Sequence, residues 1–330
     1  MDTSSPLPAA RIFTRHPSWK PAATAVAVGN FDGVHLGHAT IVRRLRTAAD
    51  RLGVPAVAFT FDPHPASVVR PGAAPPPLTT PARRAELLLD LGVDAVLVQP
   101  TDERLVGLEA EAFYATVLRD GLRARALVEG EDFRFGARRR GDVTLLDSLC
   151  RSDGIPLDVV PPVLDGGRPV SSSRLRDLIS AGEVATAARL LTSAYRLTGT
   201  VVTGARRGRT LGFPTANLVE IATLLPGNGV YAAVAVLPDG ARHAAAVHIG
   251  PNASFDATQL SVEAHLIDYA GDLYGSRLHV DFLARLRDTR RFPTVEDLKA
   301  QLTADVAAAR IAAATRIAAA PPAPTPTART

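Results

Sequence analysis

The sequence predicts a chain in two parts: an α/β half with a parallel sheet, then an all-β half that forms an antiparallel sheet or a small barrel. Up to about residue 190, short apolar runs alternate with helical patterns, whereas from about residue 195 strand-like runs follow one another without helices. The length of 330 residues also exceeds what one hydrophobic core usually holds, which favours two domains.

In the first half, runs rich in Val and Ala predict buried parallel strands at residues 24–31, 54–61, 94–100, 125–130 and 157–163. Helical spacing of apolar residues predicts helices at residues 36–52, 82–91 and 109–120. Gly53 and Gly92 directly follow the first two, as helix C-termini prefer. Ligands of such sheets bind at the carboxyl ends of the strands. Three polar stretches in that position are candidate site loops: GNFDGVHLGH at 29–38, TFDPHP at 60–65 and GEDFRFG at 130–136.

The second half shows strand patterns at residues 195–204, 229–237, 242–250, 261–269 and 277–286. Thr294, with Asp297 three residues later, predicts the start of a closing helix. The expected apolar stripe of this helix is Val295, Leu298, Leu302 and Val306. The predicted domains are 1–187 and 188–313, followed by a disordered tail rich in Ala, Pro and Thr at 314–330.

Composition excludes some classes of protein. With 46% apolar and 21% charged residues the chain is an ordinary globular protein, and its net charge of +4 favours anions such as phosphates without indicating nucleic acid. The single cysteine, Cys150, excludes an internal disulfide and a Cys-rich metal site. No signal-peptide pattern or long apolar window is present, so we expect a cytoplasmic protein without a membrane partner. A homo-oligomer remains open.

The stretch GNFDGVHLGH places His35 and His38 in the first turn of a predicted helix. At this spacing both imidazoles point the same way, and the N–H groups and dipole of the helix N-terminus suit a phosphate. The pair can donate hydrogen bonds to a phosphoryl oxygen as charge builds in a transition state, and Gly29, Gly33 and Gly37 let the backbone approach a ligand. A helix cap, a structural turn and half of a zinc site are the alternatives. The sequence contains neither a P-loop nor a dinucleotide fingerprint.

A second distinctive stretch, GTVVTGARRGRTLGFPTAN at 199–217, leads from a strand into a loop rich in Gly and Arg. Gly204, Gly208 and Gly212 would let backbone N–H groups wrap a polyphosphate. Thr215 and Asn217 lie two residues apart on an extended segment and so point the same way. Their hydroxyl and amide oxygens suit Mg²⁺. A solvated basic loop is the alternative.

The first half resembles the adenylyltransferase module of prokaryotic bifunctional FAD synthetases, which carries the HxGH signature of the nucleotidyltransferase superfamily. The resemblance rests on GNFDGVHLGH, TFDPHP, GEDFRFG and VSSSRLR (170–176), in that order. It implies a Rossmann-like fold in which His35 and His38 contact the ATP phosphates and stabilise the transition state. Ligand contacts are expected at two sets of positions: Gly29, Asn30, Phe31, Asp32, Gly33, Ser172, Ser173, Arg174 and Arg176 for ATP, and His64 and Asp132 for flavin or another ligand. A helix N-cap at Ser173 with solvated arginines, and a loop stiffened by prolines with His64 exposed, are the alternatives.

The second half, over about residues 188–312, resembles the riboflavin kinase module. The matching motifs are GFPTAN at 212–217, GVYA at 229–232, VEAHLID at 262–268 and DLYG at 272–275. The resemblance implies a six-stranded antiparallel barrel in which Thr215 and Asn217 bind MgATP and Glu263 takes the proton from the riboflavin 5′-hydroxyl. Arg287 is expected to contact flavin or nucleotide, and the kinase ATP site to include Gly204, Gly208, Gly212 and Pro214.

Two points qualify this second resemblance. Glu263 has an alternative role as a strand-face carboxylate paired with an arginine. The stretch IGPNASF at 249–255, preceded by His248, stands where the family commonly has IGxNPTF. This departure predicts an altered loop beside the flavin site.

The expected function is therefore flavin cofactor synthesis. The second half would transfer the γ-phosphoryl group of ATP to riboflavin, giving FMN and ADP, and the first half would join FMN to a second ATP, giving FAD and pyrophosphate. Both steps would use Mg²⁺ and small-molecule substrates, with no nucleic acid partner. The rivals are a kinase with a silent adenylyltransferase half, an adenylyltransferase acting on a pantetheine or nicotinate nucleotide, and a basic protein that binds flavin-sensing RNA.

Overall fold

The computed structural model describes residues 11–14, 22–72, 74–204, 207–251 and 260–318. The chain divides into two compact units, Met1–Ser172 and Ser173–Thr330. The first is α/β and the second is built around a barrel, so both predicted fold classes are confirmed.

The first unit is organised around a twisted sheet. Its described strands are β1 (Arg11–Thr14), β2 (Thr24–Val28), β3 (Ala56–Asp62), β4 (Ala95–Pro100), β5 (Ala124–Gly130), β6 (Arg134–Phe135), β7 (Gly141–Asp142), β8 (Leu157–Val160), β9 (Leu164–Asp165) and β10 (Arg168–Pro169). The main sheet has the order β1-β4-β3-β2-β5-β8, and its strands are parallel except for the edge strand β1, which the sequence reasoning missed. The strand order reverses at β2, since β3 and β4 follow on one side of it and β5 and β8 on the other. The crevice at the carboxyl ends of β2 and β5 is therefore the expected ligand position of such a sheet.

Helices cover both faces of this sheet. They are α1 (Leu36–Leu52), α2 (Pro65–Val69), α3 (Pro81–Asp90), α4 (Glu103–Gly107), α5 (Ala110–Phe113) and α6 (Val143–Ser152). Helix α1 has the predicted bounds and ends at Gly53, whose φ of 62° suits glycine. The segment predicted as one helix at 109–120 instead changes to π-helical hydrogen bonding at Tyr114–Gly121. This change keeps Tyr114, Val117 and Leu118 buried against the sheet.

The second unit is a closed antiparallel barrel with the strand order β11-β12-β15-β14-β13-β16. The strands are β11 (Tyr195–Val202), β12 (Ala216–Val219), β13 (Gly229–Val236), β14 (Arg242–Pro251), β15 (Leu260–Leu266) and β16 (Arg277–Arg287). The described helices are α7 (Ser172–Ser180), α8 (Val184–Leu190), α9 (Arg207–Thr210) and α10 (Val295–Ala318). The barrel that the family resemblance implied is confirmed.

The terminal helix α10 differs from its prediction. Thr294 caps it as expected, since the Asp297 N–H donates to Thr294 Oγ1 at 3.1 Å. The residues that seal it onto the barrel, however, are Ala309 and Ala313, both fully buried against Ala232, Val234 and their neighbours. Small side chains allow this close approach. The predicted stripe lines a cavity, from Val295 at its start, which is 52% exposed, to Val306, which also packs against the Ala309 cluster.

The compact units meet at Ser172/Ser173, whereas the predicted domains meet at 187/188. Helices α7 and α8 belong to the barrel unit; the Gly227 N–H, for example, donates to the carbonyl of Ile179 in α7 at 3.0 Å. The functional boundary at 187/188 stays a prediction. Residues 314–318, assigned to the tail, are helical, while 319–330 and residues 252–255 of the IGPNASF stretch lie outside the described residues. In the part of the chain that the structure covers, none of the helices combines the length and apolar character of a membrane span.

Candidate active sites

His35 and His38 form a reciprocal cap at the start of α1. Buried strand β2 ends just before the GNFDG turn, and His35 is the N-cap residue of the helix. Nδ1 of His35 accepts from the His38 N–H at 3.4 Å, and Nδ1 of His38 accepts from the His35 N–H at 3.3 Å. The two rings stack with centroids 3.7 Å apart. The histidines therefore do serve as a cap, and this role fixes the direction of both rings.

The cap also determines where the ring protons lie. Because Nδ1 accepts in both rings, a neutral ring carries its proton on Nε2, so both rings offer an Nε2–H donor away from the cap. Burial lowers the pKa of His35 from 6.5 to about 4, against the opposing effect of Asp32. Burial, followed by His35 and Arg84, lowers the pKa of His38 well below its usual value. The pair is thus neutral at physiological pH and presents two hydrogen-bond donors side by side.

Asp32 anchors the GNFDG turn to the backbone at residues 78–79. Its side chain is buried and accepts from the backbone N–H groups of Leu78 and Thr79 at 2.9–3.0 Å, and from the Thr79 hydroxyl at 3.0 Å. The Thr79 hydroxyl accepts in turn from the Gly33 N–H at 3.2 Å, and Arg84 lies 3.9 Å from the Asp32 carboxylate. These contacts make Asp32 a positioning residue for the turn. Sequence reasoning missed Thr79 and Arg84 because nothing local marks them.

The TFDPHP and VSSSRLR stretches both reach the same turn. The side-chain amide of Asn30 lies 3.0 Å from Nε2 of His64, whose Nδ1 caps α2 by accepting from the Ala66 N–H at 3.0 Å. Ser172 Oγ donates to the backbone carbonyl of Asp32 at 2.8 Å. The structure thus brings together Asn30, Asp32, His64 and Ser172 as the sequence analysis expected. His64 is a cap residue as well, so it is not simply an exposed ring.

The remaining predicted residues of this half occupy different settings. Phe31 is buried, with a positive φ of 46° and its ring edge-on to His38 at 5.2 Å, so it supports the histidine from the core. Its ring also lies against Gly29, where a Cβ would come within 3.3 Å. Asp132 is exposed, with its carboxylate beside Gly130 at the end of β5. The other three follow on α7, in the second unit: Ser173, Arg174 and Arg176.

Glu129 is a buried acid that the sequence reasoning passed over. It is 1% exposed, and its Oε1 accepts from the Val28 N–H at 2.8 Å. Paired residues of β2 and β5 stop at Val26 and Leu127, so this side chain bridges the two strands where they separate. Burial raises the pKa of Glu129 well above its usual value. An acid inside an otherwise apolar strand was the signal available in the sequence.

In the second unit, Thr215, Asn217 and Glu263 come together on neighbouring strands. Asn217 on β12 is the direct partner of Glu263 on β15, and directly opposed residues project to the same face. Thr215 Oγ1 lies 3.5 Å from Glu263 Oε2. The hydroxyl and amide predicted as metal ligands are therefore adjacent to the predicted base.

The glycines of the preceding loop allow close backbone contacts. A Cβ on Gly204 would overlap the side-chain amide of Asn217, and one on Gly208 would overlap the carbonyl of Phe213. Gly212 has a φ of 89°, which favours glycine. The Pro214 carbonyl lies 2.7 Å from Nδ1 of His265, an interaction that ties the loop to β15. Ala205 and Arg206 lie outside the described residues.

A cavity of about 650 Å³ lies between the barrel and the start of α10, and Thr215 and Glu263 open onto it. Arg287 also lines it, but its guanidinium donates three hydrogen bonds of 2.8–3.1 Å to the buried Asp305, one to Oδ1 and two to Oδ2. The helix side of the cavity is apolar, with Val295, Leu298, Leu302 and Val306. A flat apolar ring system fits against this wall, and a polar chain fits against the strands.

Each unit carries a candidate site, one on an α/β sheet of the nucleotidyltransferase type and one in a kinase-type barrel, as in a transferase with two activities. Comparisons with known proteins agree. The family model of FAD synthetase matches residues 18–174, and that of riboflavin kinase matches residues 191–313.

The relatives make the assignment specific. The bifunctional riboflavin kinase/FMN adenylyltransferase of Pseudomonas fluorescens is 40% identical over 87% of this chain and 92% of its own length. The protein of the same name from Escherichia coli K12 is 35% identical over 86% of this chain and 91% of its own length. A crystal structure described as a macrolide-efflux protein from Streptococcus pneumoniae has a TM-score of 0.80 at 32% identity, covering 88% of this chain and 94% of that one. The chain belongs to the family of bifunctional riboflavin kinase/FMN adenylyltransferases, which confirms the predicted family and enzyme class.

Proposed function

We propose that FAD is made from FMN and ATP around the histidine pair, and that riboflavin is phosphorylated at Glu263. The observation that carries the first assignment is the reciprocal cap of His35 and His38, which uses Nδ1 of both rings and leaves each Nε2–H to donate to a ligand at the helix N-terminus. The second rests on Thr215 and Glu263, which both line the cavity, and on Asn217, the direct strand partner of Glu263.

In the adenylyl transfer, the phosphate of FMN attacks the α-phosphorus of ATP and pyrophosphate leaves. Negative charge builds on the phosphoryl oxygens in the transition state, where preorganised donors act most strongly. The Nε2–H groups of His35 and His38 supply such donors without having to gain or lose a proton. Asn30, His64 and Ser172 shape the turn around them, and Ser173, Arg174 and Arg176 are proposed to contact the polyphosphate. Direct attack requires no covalent intermediate on the enzyme.

In the phosphorylation, the 5′ oxygen of riboflavin attacks the γ-phosphorus of ATP while Glu263 accepts the hydroxyl proton, and ADP leaves as the bond from the γ-phosphorus to its bridging oxygen breaks. The oxygen donors Thr215 and Asn217 fit Mg²⁺, which prefers such ligands and commonly also binds substrate phosphates. When bound, Mg²⁺ would neutralise charge on the phosphates. Gly204 and Gly208 keep the loop close to Asn217 and Phe213, which positions these donors. Arg287, held by Asp305, contributes a wall of the site.

The test is a time course with purified protein, riboflavin, ATP and Mg²⁺, in which flavins are separated by chromatography. FMN should appear first and FAD afterwards. His38→Ala should slow FAD formation by about 10²–10³-fold and spare FMN formation. Glu263→Gln should slow FMN formation by about 10²–10⁴-fold and spare the conversion of supplied FMN to FAD.

Two matched controls accompany these variants. His243→Ala removes a ring that packs edge-to-face with Tyr269 elsewhere on the barrel, and Glu183→Gln changes an exposed acid before α8 that makes no capping hydrogen bond. Both should keep both activities. Loss of both activities from a single folded site variant would contradict the assignment of two sites. FMN formation without any FAD from the unmodified protein would favour a silent first half.

A further inference from the structure

The barrel register places a row of side chains side by side across one surface. Each member is the direct antiparallel partner of the next, on the successive strands β12, β15, β14, β13 and β16. The row consists of Asn217, Glu263, His248, Val230 and Arg287. Directly opposed residues of antiparallel strands project to the same face, and the last four of these residues line the cavity under α10. His248 therefore stands one strand beyond Glu263, on the same wall.

The setting of His248 is that of a neutral hydrogen-bonding group. Burial lowers its pKa below the usual value, while Glu263 opposes and Arg287 reinforces this effect. An uncharged imidazole has one donor and one acceptor nitrogen. Its neighbour in the row on the other side, Val230, is apolar. His248 is thus the next polar group on this wall after Glu263, in the direction away from Thr215 and Asn217.

The spacing of the strands sets what His248 can reach. Neighbouring strands lie about 4.8 Å apart, which is close to the separation of the terminal 5′ oxygen and the 3′ oxygen of a ribityl chain when the four bonds between them are extended. If the 5′-hydroxyl of riboflavin faces Glu263, the hydroxyl two carbons further along its ribityl chain comes opposite His248. The flat ring system then continues toward the apolar side chains of α10, such as Leu298 and Leu302.

We propose that His248 is a substrate-binding residue of the kinase site that hydrogen-bonds the 3′-hydroxyl of the ribityl chain. This inference rests on the proposed phosphorylation site at Glu263. In this arrangement Glu263 interacts with the terminal 5′-hydroxyl, and the hydrogen bond from His248 fixes the position of the ribityl chain relative to Glu263. A hydrogen bond between neutral groups contributes roughly 3- to 10-fold to kcat/KM.

The experiment pairs a change in the protein with a change in the substrate. FMN formation is measured with riboflavin, and phosphorylation with an analogue that lacks the 3′-hydroxyl, for the unmodified chain, His248→Phe and His248→Asn. The Phe variant keeps a flat ring without nitrogen atoms, and the Asn variant keeps a donor and an acceptor. The unmodified protein should prefer riboflavin by roughly 3- to 10-fold, His248→Phe should lose this preference, and His248→Asn should restore part of it.

Several results would overturn the proposal. One is a His248→Phe enzyme that still prefers riboflavin as strongly as the unmodified protein. Another is a His248→Phe enzyme that still prefers riboflavin to the analogue lacking the 3′-hydroxyl, but no longer prefers it to an analogue lacking the 2′- or 4′-hydroxyl. If His248→Phe does not fold, as judged by thermal unfolding, His248→Leu, whose side chain also has no nitrogen atom, replaces it in the same comparison. Full FMN formation by Glu263→Gln would instead refute the underlying site, so the two failures are distinguishable.

Discussion

The protonation of His35 allows a quantitative test of the histidine pair. Its side chain is 6% exposed, and burial lowers its pKa from 6.5 to about 4. The folded protein therefore binds this proton more weakly than the unfolded chain does. The stabilisation is fully present above pH 6.5 and is lost as the pH falls toward 4. The full loss is about 3 kcal/mol, of which about 2 kcal/mol is already lost at pH 5.

The variant for this test is His35→Asn, because Asn is also a favoured N-cap residue but does not titrate. Amide hydrogen exchange in α1 at pH 7.5 and pH 5 measures the local free energy of unfolding. The unmodified protein should lose about 2 kcal/mol more than the variant over this range. NMR of labelled histidine should show both rings neutral, with the proton on Nε2, down to pH 5. A ring that titrates near pH 6.5, or equal losses in both proteins, would refute the reasoning.

Three further perturbations test the positioning contacts. Gly204→Ala puts a methyl group onto the amide of Asn217, so FMN formation should fall by about 100-fold, while FAD formation from supplied FMN serves as an unchanged control. Asp32→Asn turns an NH₂ group toward donors of the 78–79 backbone, which should cost about 1–3 kcal/mol and suppress FAD formation; activity at the original level would contradict this. Burial raises the pKa of Glu129, so the contribution of this carboxyl to the free energy of unfolding should fall as the pH rises above 4.5. Glu129→Gln keeps an acceptor for the Val28 N–H and should remove that pH dependence. The measurement is the free energy of unfolding in urea as a function of pH. Parallel curves for the two proteins would contradict the prediction, because they would show that the carboxyl is charged in the folded protein.

Sequence patterns predicted those elements whose ends or burial depend on residues close together in the chain. Helix α1 begins and ends where its capping residues and Gly53 lie, and Thr294 caps α10, because these contacts join residues three or four positions apart. Buried parallel strands were recognisable from continuous apolar runs. The edge strand β1 was not, because its four residues take their strand character from pairing with β4.

The same distinction between local and long-range contacts explains what the sequence left undetermined at α10 and after Phe113. The apolar stripe of α10 has the helical spacing of a core contact, yet its first residues line a cavity and Ala309 and Ala313 meet the barrel. Periodicity identifies a face of the helix but not the surface that this face will meet. The change to π-helical bonding at Tyr114 accompanies the burial of that residue against the sheet.

By itself, the sequence determined the order of α/β and all-β halves, the histidine turn, and the motifs that carry the family resemblance. All of these depend on residues close together in the chain. Only the tertiary structure decided that Asp32 is a buried anchor for the 78–79 backbone, that Glu129 bridges two separating strands, and that His248 stands beside Glu263. The physical reason is that strand register and burial arise from contacts between segments far apart in the chain, and a local pattern does not specify which distant residue will lie opposite.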